Sequence, residues 1–319
     1  MTWDPRSLPD LTGRVYLVTG SNTGLGYFAS EQLVRAGARV IMSARHPNRL
    51  SGARAAIRRR VPDAAPDATD PLILDTSNLG SVRSAAASIR GRGALDGVLL
   101  NAGIVHPPKV RQTTIDGNEV VFATNALGHF ALAGELLTAL AEAAGRMVWV
   151  GSMSTSLTPY DPVDPQLVDN YSAWRAYVQS KVATAALGFE ADRRLRAAGV
   201  DVASIVAHPG YSIGGRTPGI VGVNEPSRAK RFRDNLQAAF SQSKEHGAWP
   251  LVRALTDPEA ESGGFWGPRT GSRGEPREQT AAKVTRDPEV GARLWQVAEQ
   301  ATGVRWPFDA AARIGAAGR

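Results

Sequence analysis

Apolar residues recur along the chain in two rhythms, and the rhythms alternate. "RVYLVTG" is a short, β-branched apolar run that ends in a turn, and "GYFASEQLVRAGA" then repeats apolar residues at helical spacing until Gly37 stops it. The alternation continues through "RVIMSAR", a helix around "LSGARAAIRRR", "LILDTS", the helix "SVRSAAASIRG", "LDGVLLNAG" and a long helix through "FATNALGHFALAGELLTALAEAAG". It ends with "RMVWVGS", the helix "AYVQSKVATAALGFEADRRLRAAG" and "VDVASIVAHPG". Strands alternating with helices on this scale predict right-handed crossovers and a parallel sheet covered by helices on both faces. Runs such as "GVLL" and "MVWV" are apolar at every position, as a strand buried on both sides requires.

The pattern therefore predicts an α/β fold, a single doubly wound parallel sheet of the Rossmann type, as one domain over residues 1–319. Its core runs from about 12 to 210. From about 211 to 249, "YSIGGRTPGIVGVNEPSRAKRFRDNLQAAFSQSKEHGAW" breaks the rhythm with a loop rich in Gly and Pro and then a polar, helical piece, which is expected to lie over the sheet as a substrate flap. A C-terminal strand and helix are expected over about 250–305. No internal repeat appears, and no linker is polar enough to separate two independent domains.

The hydrophobic content of 43% supports a packed core, and the absence of cysteine excludes disulfides and thiolate metal sites. The start "MTWDPRSLPDLTGR" has no apolar run after its charges, and no later stretch reaches eighteen consecutive apolar residues. A cytoplasmic protein with no membrane partner is the expectation. The net charge of +7 comes from 37 basic residues, of which all but five are Arg, scattered through Ala-rich helical segments. The run Arg58 to Arg60 carries no interleaved aromatics, so the charge reads as an arginine-biased surface and no nucleic-acid partner is expected. No His, Asp and Glu spacing suggests a metal site.

The first strand leads directly into "TGSNTGLG", which places Gly20, Ser21, Asn22, Gly24, Leu25 and Gly26 in a strand-to-helix turn. Glycines there let the backbone bend sharply and bring amides close to a pyrophosphate, while the helix N-terminus favours the phosphate charge. At the end of the second strand, where an NAD-binding chain places an acid on the ribose hydroxyls, no acidic residue occurs between Val40 and Pro62. "SAR" ends the strand instead, and Arg45 can pair with a 2′-phosphate through charge-assisted hydrogen bonds. NADP(H) is the expected cofactor.

These residues carry a resemblance to the short-chain dehydrogenases/reductases. The glycine turn has the form TGxxxGxG, and "LDTS" with Asp75 and Thr76 stands where that family holds the adenine. "NAG" at Asn101, Ala102 and Gly103 follows the fourth strand, and Asn125 in "ATNALGHF", Ser152 after the fifth strand, Tyr177 with Lys181, and Pro209 and Gly210 in "HPG" complete the ordered set. Within the family the chain resembles the retinol-dehydrogenase-like branch, which includes WW-domain oxidoreductase and protochlorophyllide reductase relatives. "TGSNTGLG", "SAR", the insertion before Tyr177 and the tail "GGFWGP…DPEVGARLWQVAEQATGV" carry that likeness over about residues 10–305. Two departures stand against carrying those substrates over: the chain has no cysteine, and no membrane anchor of the kind many retinol enzymes carry is expected.

The resemblance implies that Tyr177 donates its phenolic proton to a carbonyl oxygen as hydride arrives from the nicotinamide. A phenol near pKa 10 is a poor partner at neutral pH and needs a cation nearby. Lys181, one helical turn on, lies on the same face and is expected to supply it while reaching the nicotinamide ribose. Tyr160 and Tyr171 are followed at that distance by Asp164 and Arg175. Ser152 is implied to hydrogen-bond the substrate oxygen, with Ser154 as the alternative, and Asn125 to hold a water linking Lys181 to solvent. His208 precedes a Pro-Gly pair and reads as structural, and His129 as core or interface.

The insertion between Ser152 and Tyr177 supplies Tyr160, Tyr171 and Trp174, and the flap supplies Phe232 and Phe240. Aromatics of this kind fit either a pocket for a bulky lipophilic carbonyl compound or ordinary loop packing. Carbonyl reduction is the expected activity, with carbon–carbon double-bond reduction and a non-catalytic NADP(H)-sensing role on the same fold as alternatives. A homodimer is the expected assembly.

Overall fold

The computed structural model describes residue 4 and residues 7–317. The apolar runs become strands β1 (Val15–Val18), β2 (Arg39–Ala44), β3 (Thr69–Ile73), β4 (Gly97–Leu100), β5 (Arg146–Val150), β6 (Ala203–Ala207) and β7 (Phe265–Pro268), with β8 (Pro276–Glu278) beyond them. They form one eight-stranded sheet in the order β3-β2-β1-β4-β5-β6-β7-β8. Every pairing is parallel except that of β7 with β8. Winding reverses between β1 and β4, and in such a sheet the crevice for a ligand opens at the carboxyl ends of those strands.

Alternation of side chains sorts the central strands between two cores. Leu17, Ile41, Val98, Leu100, Met147, Trp149 and Val206 point to one face, where they meet helices Leu79–Arg90, Ala173–Ala197 and Pro288–Thr302 and the helical stretch 120–142. Tyr16, Val18, Val40, Met42, Leu99, Val148, Val150 and Ile205 point to the other, against helices Gly24–Arg35, Pro47–Arg60 and Trp249–Thr256. Both faces are thus dry, which explains why these strands are apolar throughout. Each fully buried Leu or Ile contributes about 1.5–3 kcal/mol relative to exposure.

Three segments differ from the sequence expectation. β3 begins earlier than "LILDTS" and includes Pro71, which is tolerated because β3 is an edge strand with one side free of pairing. The long helix through Asn125 is interrupted by a π-helical turn, Ala123–Leu127, and changes direction at Leu136. After the sheet, the expected strand is joined by β8, and the expected helix by a further one, Phe308–Ala317. Trp306, between those last helices, packs with Trp295 and Phe130 at ring-centroid distances of 4.8 and 5.6 Å. Among the described residues no helix is long and apolar enough to cross a membrane, and no group of His, Asp and Glu is placed to hold a metal.

Candidate active site

The turn after β1 depends on its glycines. Gly20 and Gly24 adopt φ of 66° and 61°, which side-chain-bearing residues rarely adopt. At Gly26 an added Cβ would lie 2.5 Å from the Gly20 carbonyl oxygen and 2.6 Å from Asn101 Nδ2, so the helix sits directly on the strand end. The backbone amide and the hydroxyl of Ser21 both donate to the Ser43 carbonyl, at 2.9 and 3.2 Å, which ties the turn to β2. Asn22 and Leu25 are half-buried on the same turn. The N-cap residue Thr23 makes no side-chain cap, and the first turn of the helix holds no acid. The first amides therefore present a positive end at a glycine-lined surface, which fits the pyrophosphate of a dinucleotide.

The "NAG" turn after β4 leans on Thr19. The Thr19 hydroxyl accepts from the amides of Asn101 (2.8 Å) and Ala102 (2.9 Å), and Asn101 Nδ2 donates to the Thr19 carbonyl at 2.7 Å. Gly103 is exposed, and a Cβ there would lie 3.0 Å from Asn125 Oδ1. Beyond β2, Arg45 is exposed and bonds to no described residue. Beyond β3, Asp75 accepts from the amide (3.0 Å) and hydroxyl (2.7 Å) of Ser77, and Thr76 is buried with its carbonyl against Gly128. The two turns follow neighbouring strands, one basic and one fixed by the helical stretch behind it.

The chemistry-bearing side chains meet where β5 ends. Ser152 leaves the strand in extended conformation, and its Oγ accepts from the Ser154 amide at 3.1 Å, the Ser154 hydroxyl at 2.9 Å and the Tyr177 hydroxyl at 3.3 Å. Ser154 is buried behind it, so the geometry sets Ser152 against the phenol and gives Ser154 the supporting position. Ser152→Ala is expected to remove the contact with Tyr177 and lower turnover by about 10²-fold, as loss of one donor at a developing oxyanion does. Ser154→Ala should lower it less than about tenfold, because Ser152 retains the Ser154 amide and the phenol. Equal losses in steady-state turnover of the two variants would reverse the assignment.

Tyr177 and Lys181 project from one face of helix Ala173–Ala197, one turn apart. Burial raises the Tyr177 phenol above its ordinary value, with the Ser152 bond opposing the shift. Lys181 is buried, its Nζ donates to the Val150 carbonyl at 2.7 Å, and burial lowers its pKa to about 8. The phenol is thus not held down by the Lys181 cation as expected from spacing, because the ammonium is turned toward the end of β5. The ring of Tyr177 is flanked by Trp174, with centroids 6.2 Å apart, and Trp174 Nε1 donates to Thr158 at 2.8 Å.

Asn125 lies within the π-turn. Its Oδ1 accepts from the Ile104 amide (2.8 Å), and its Nδ2 donates to the Ile104 carbonyl (3.2 Å) and to Ser180 Oγ (2.9 Å). Ser180 in turn donates to the Tyr177 carbonyl at 2.7 Å, so Asn125 is coupled to the backbone of the tyrosine helix. Pro209 and Gly210 follow β6; Gly210 has φ of 63°, and a Cβ there would collide with Ser272. His208 Nδ1 accepts from the Gly210 amide at 3.3 Å and its Nε2–H then donates to Gln279 Oε1 at 2.9 Å, a neutral, structural imidazole whose pKa burial lowers.

Sequence reasoning missed Thr19, Ser180 and the part played by His129. His129 is fully buried, with Nδ1 3.1 Å from the Asn125 carbonyl and Nε2 3.0 Å from Thr19 Oγ1. Since a carbonyl only accepts, Nδ1 carries the proton and Nε2 accepts from the Thr19 hydroxyl. The imidazole thereby joins the "NAG" turn to the π-turn. Thr19 opens "TG", which offered a signal; a His four residues after Asn125 in a buried helix offered little.

Comparison with known proteins shows the family. The sequence pattern of the short chain dehydrogenase family matches residues 14–212. A polyprenol dehydrogenase of Mus musculus is 35% identical over 314 residues, covering 94% of this chain and 87% of its own length. Retinol dehydrogenase 14 of the same species is 30% identical over 305 residues, covering 92% and 86%. Among solved structures, an uncharacterised protein from Mycobacterium paratuberculosis superposes with a TM-score of 0.77 at 31% identity, covering 96% of this chain and all of that one. With the ordered motifs, the glycine turn and the Ser152–Tyr177–Lys181 cluster in one crevice, the chain belongs to the short-chain dehydrogenase/reductase family, in its retinol-dehydrogenase-like branch.

Proposed function

We propose that the protein is an NADP(H)-dependent oxidoreductase that interconverts a carbonyl and an alcohol on a bulky, lipophilic small molecule. The observation that carries the reading is the Tyr177 hydroxyl 3.3 Å from Ser152 Oγ at the end of β5, with Lys181 one turn behind it. When bound, the nicotinamide supplies or accepts the hydride. The hydroxyl of Ser152, which uses its lone pairs on Ser154 and Tyr177, keeps its own hydrogen for the substrate oxygen. Tyr177 turns its proton to that same oxygen, and its raised pKa keeps that proton in place at neutral pH, which suits reduction. Lys181, held on the Val150 carbonyl one turn from Tyr177, is left to reach the nicotinamide ribose, and Asn125 fixes the helix that carries both.

A lipophilic substrate is supported by apolar side chains left in solvent on the segments that leave β5 and β6. Met153 and Trp174 stand on one side, the latter 50% exposed, and Phe232, at 70%, with Leu236 and Phe240 on the other. Substrates named for the two mouse relatives, a polyprenol and retinol, are of the same lipophilic class. The test is NADPH consumption with carbonyl and enone compounds graded from small aldehydes to fused-ring ketones. Turnover that rises with substrate size and tracks carbonyls supports the reading; turnover confined to the enone double bond, or failure to bind NADPH, removes it.

Arg45 carries the preference for the phosphorylated cofactor. Its guanidinium is exposed and unpaired among the described residues, and the nearby strand end holds no acid. Arg45→Glu is expected to raise the Kd of NADPH relative to that of NADH by about 10- to 100-fold, the worth of one charge-assisted phosphate contact. An unchanged ratio in a fluorescence titration would assign the 2′-phosphate elsewhere.

A further inference from the structure

The segment after β6 returns across the sheet to the helix that begins at Gly24. Thr23 Oγ1 donates to the Val223 carbonyl at 2.8 Å, and Gln32 Nε2 to the Glu245 carbonyl at 3.2 Å. Gly247 packs so tightly that a Cβ would stand 2.9 Å from Leu25 Cδ2. The segment therefore roofs the glycine turn.

Lys244 lies under that roof. Its amide is anchored by Thr217 Oγ1 at 2.9 Å, and its side chain runs over Gly24: a Cβ built there would lie 3.4 Å from Nζ and 3.5 Å from Cδ. No described acceptor bonds to Nζ. The nearby carboxylate of Asp234 is already engaged by Lys230 at 2.8 Å and by the Gly215 amide at 2.7 Å, and the Lys230 ammonium adds a second positive charge. A half-buried ammonium with no anion hydrogen-bonded to it, beside another cation and at the positive end of a helix, is unfavourable until a further negative group arrives. The chain uses Lys at only five positions among its 37 cations, and Lys181, Lys230 and Lys244 are three of them. A compact ammonium on a flexible stem is the cation that fits beneath a covering segment.

We infer that Lys244 is the cation that meets the cofactor's pyrophosphate, so that the segment over residues 211–247 clamps the dinucleotide as well as the substrate. The inference rests on the nicotinamide-cofactor reading and adds to it a contact made by the flap. Bound phosphate satisfies Nζ from one side and the first amides of the Gly24 helix from the other. Because the pyrophosphate is common to NADPH and NADH, Lys244 contributes affinity without cofactor preference, whereas Arg45 sets preference.

The test is a fluorescence titration of the full chain with NADPH, NADH and adenosine 2′-monophosphate, which carries the 2′-phosphate and lacks the pyrophosphate. For Lys244→Gln the Kd of both dinucleotides is expected to rise about 10- to 100-fold with their ratio unchanged and the nucleotide unaffected, and Lys244→Arg should recover part of the loss. Thermal midpoints without cofactor should be at or above wild type, since Nζ has no hydrogen-bond partner to lose and a half-buried charge is removed. A change below about twofold for both dinucleotides overturns the assignment to Lys244 alone. A loss confined to NADPH and adenosine 2′-monophosphate overturns it in favour of the 2′-phosphate. Wild-type protein that binds neither dinucleotide overturns the underlying cofactor reading and this inference with it.

Discussion

Tyr177→Phe is expected to lower kcat by a factor of about 10² to 10⁴, equivalent to about 3–5 kcal/mol of transition-state stabilisation, while NADPH affinity changes less than about threefold. The substitution removes one oxygen and leaves the ring against Trp174. Ser152 Oγ retains the amide and hydroxyl of Ser154, so no buried acceptor is orphaned and the thermal midpoint should not move. What is lost is the phenol within reach of Ser152, and with it the proton for the substrate oxygen. Single-turnover rates measured at saturating cofactor separate this from a binding defect. A Phe variant that retains wild-type turnover would remove Tyr177 from the chemistry and leave the fold as a cofactor-binding scaffold.

The second large effect concerns acid. His129 has its pKa lowered to about 3, first by burial, with the bond to the Asn125 carbonyl opposing and the Lys181 charge reinforcing the shift. Protonation would also set an Nε2–H against Thr19 Oγ1, which already accepts from two amides. The unfolded imidazole titrates near 6.5, so between these values the unfolded chain binds the proton and the folded chain does not. Stability contributed by neutral His129 is therefore complete above about pH 6.5 and is lost as the pH falls toward 3. At pH 5 the loss is about 2 kcal/mol. His208, lowered in the same direction by burial, adds to the same window. In urea denaturation, His129→Gln should be less stable than wild type at pH 7.5 yet lose about 2 kcal/mol less between pH 7.5 and pH 5. Parallel pH profiles for the two proteins would place the acid sensitivity elsewhere.

Much of this site was legible because strand ends announce themselves. An apolar run that stops at glycines, at "NAG" or at a serine cluster marks both the edge of the sheet and the mouth of the crevice, since parallel strands in a doubly wound sheet deliver their carboxyl ends to one side. Parts that depend on contact across the chain were not legible. The choice between Ser152 and Ser154 turns on which hydroxyl faces Tyr177, a distance no spacing reveals. β8 has three residues, two of them exposed, and so leaves no hydrophobic signature. Lys244 sits in a polar segment whose significance appears only when that segment is folded back on Gly24. Helical spacing puts Lys181 one turn from Tyr177, but the ammonium's hydrogen bond to Val150 directs it elsewhere.

The π-turn at Ala123–Leu127 has a consequence for changes of chain length. Such a turn accommodates one more residue than the α-helical path would hold, and the surplus is what faces Asn125 toward Ile104 and Ser180 at once. Deleting a single residue there would let the helix close into regular hydrogen bonding with the flanking turns kept in phase, and Asn125 would lose its joint hold on Ile104 and Ser180. With every residue from Val121 to Gly134 buried, this stretch should tolerate few substitutions, whereas loss of the surplus residue should spare the fold and loosen the site, a contrast that a mutational scan read by thermal midpoint and turnover would expose.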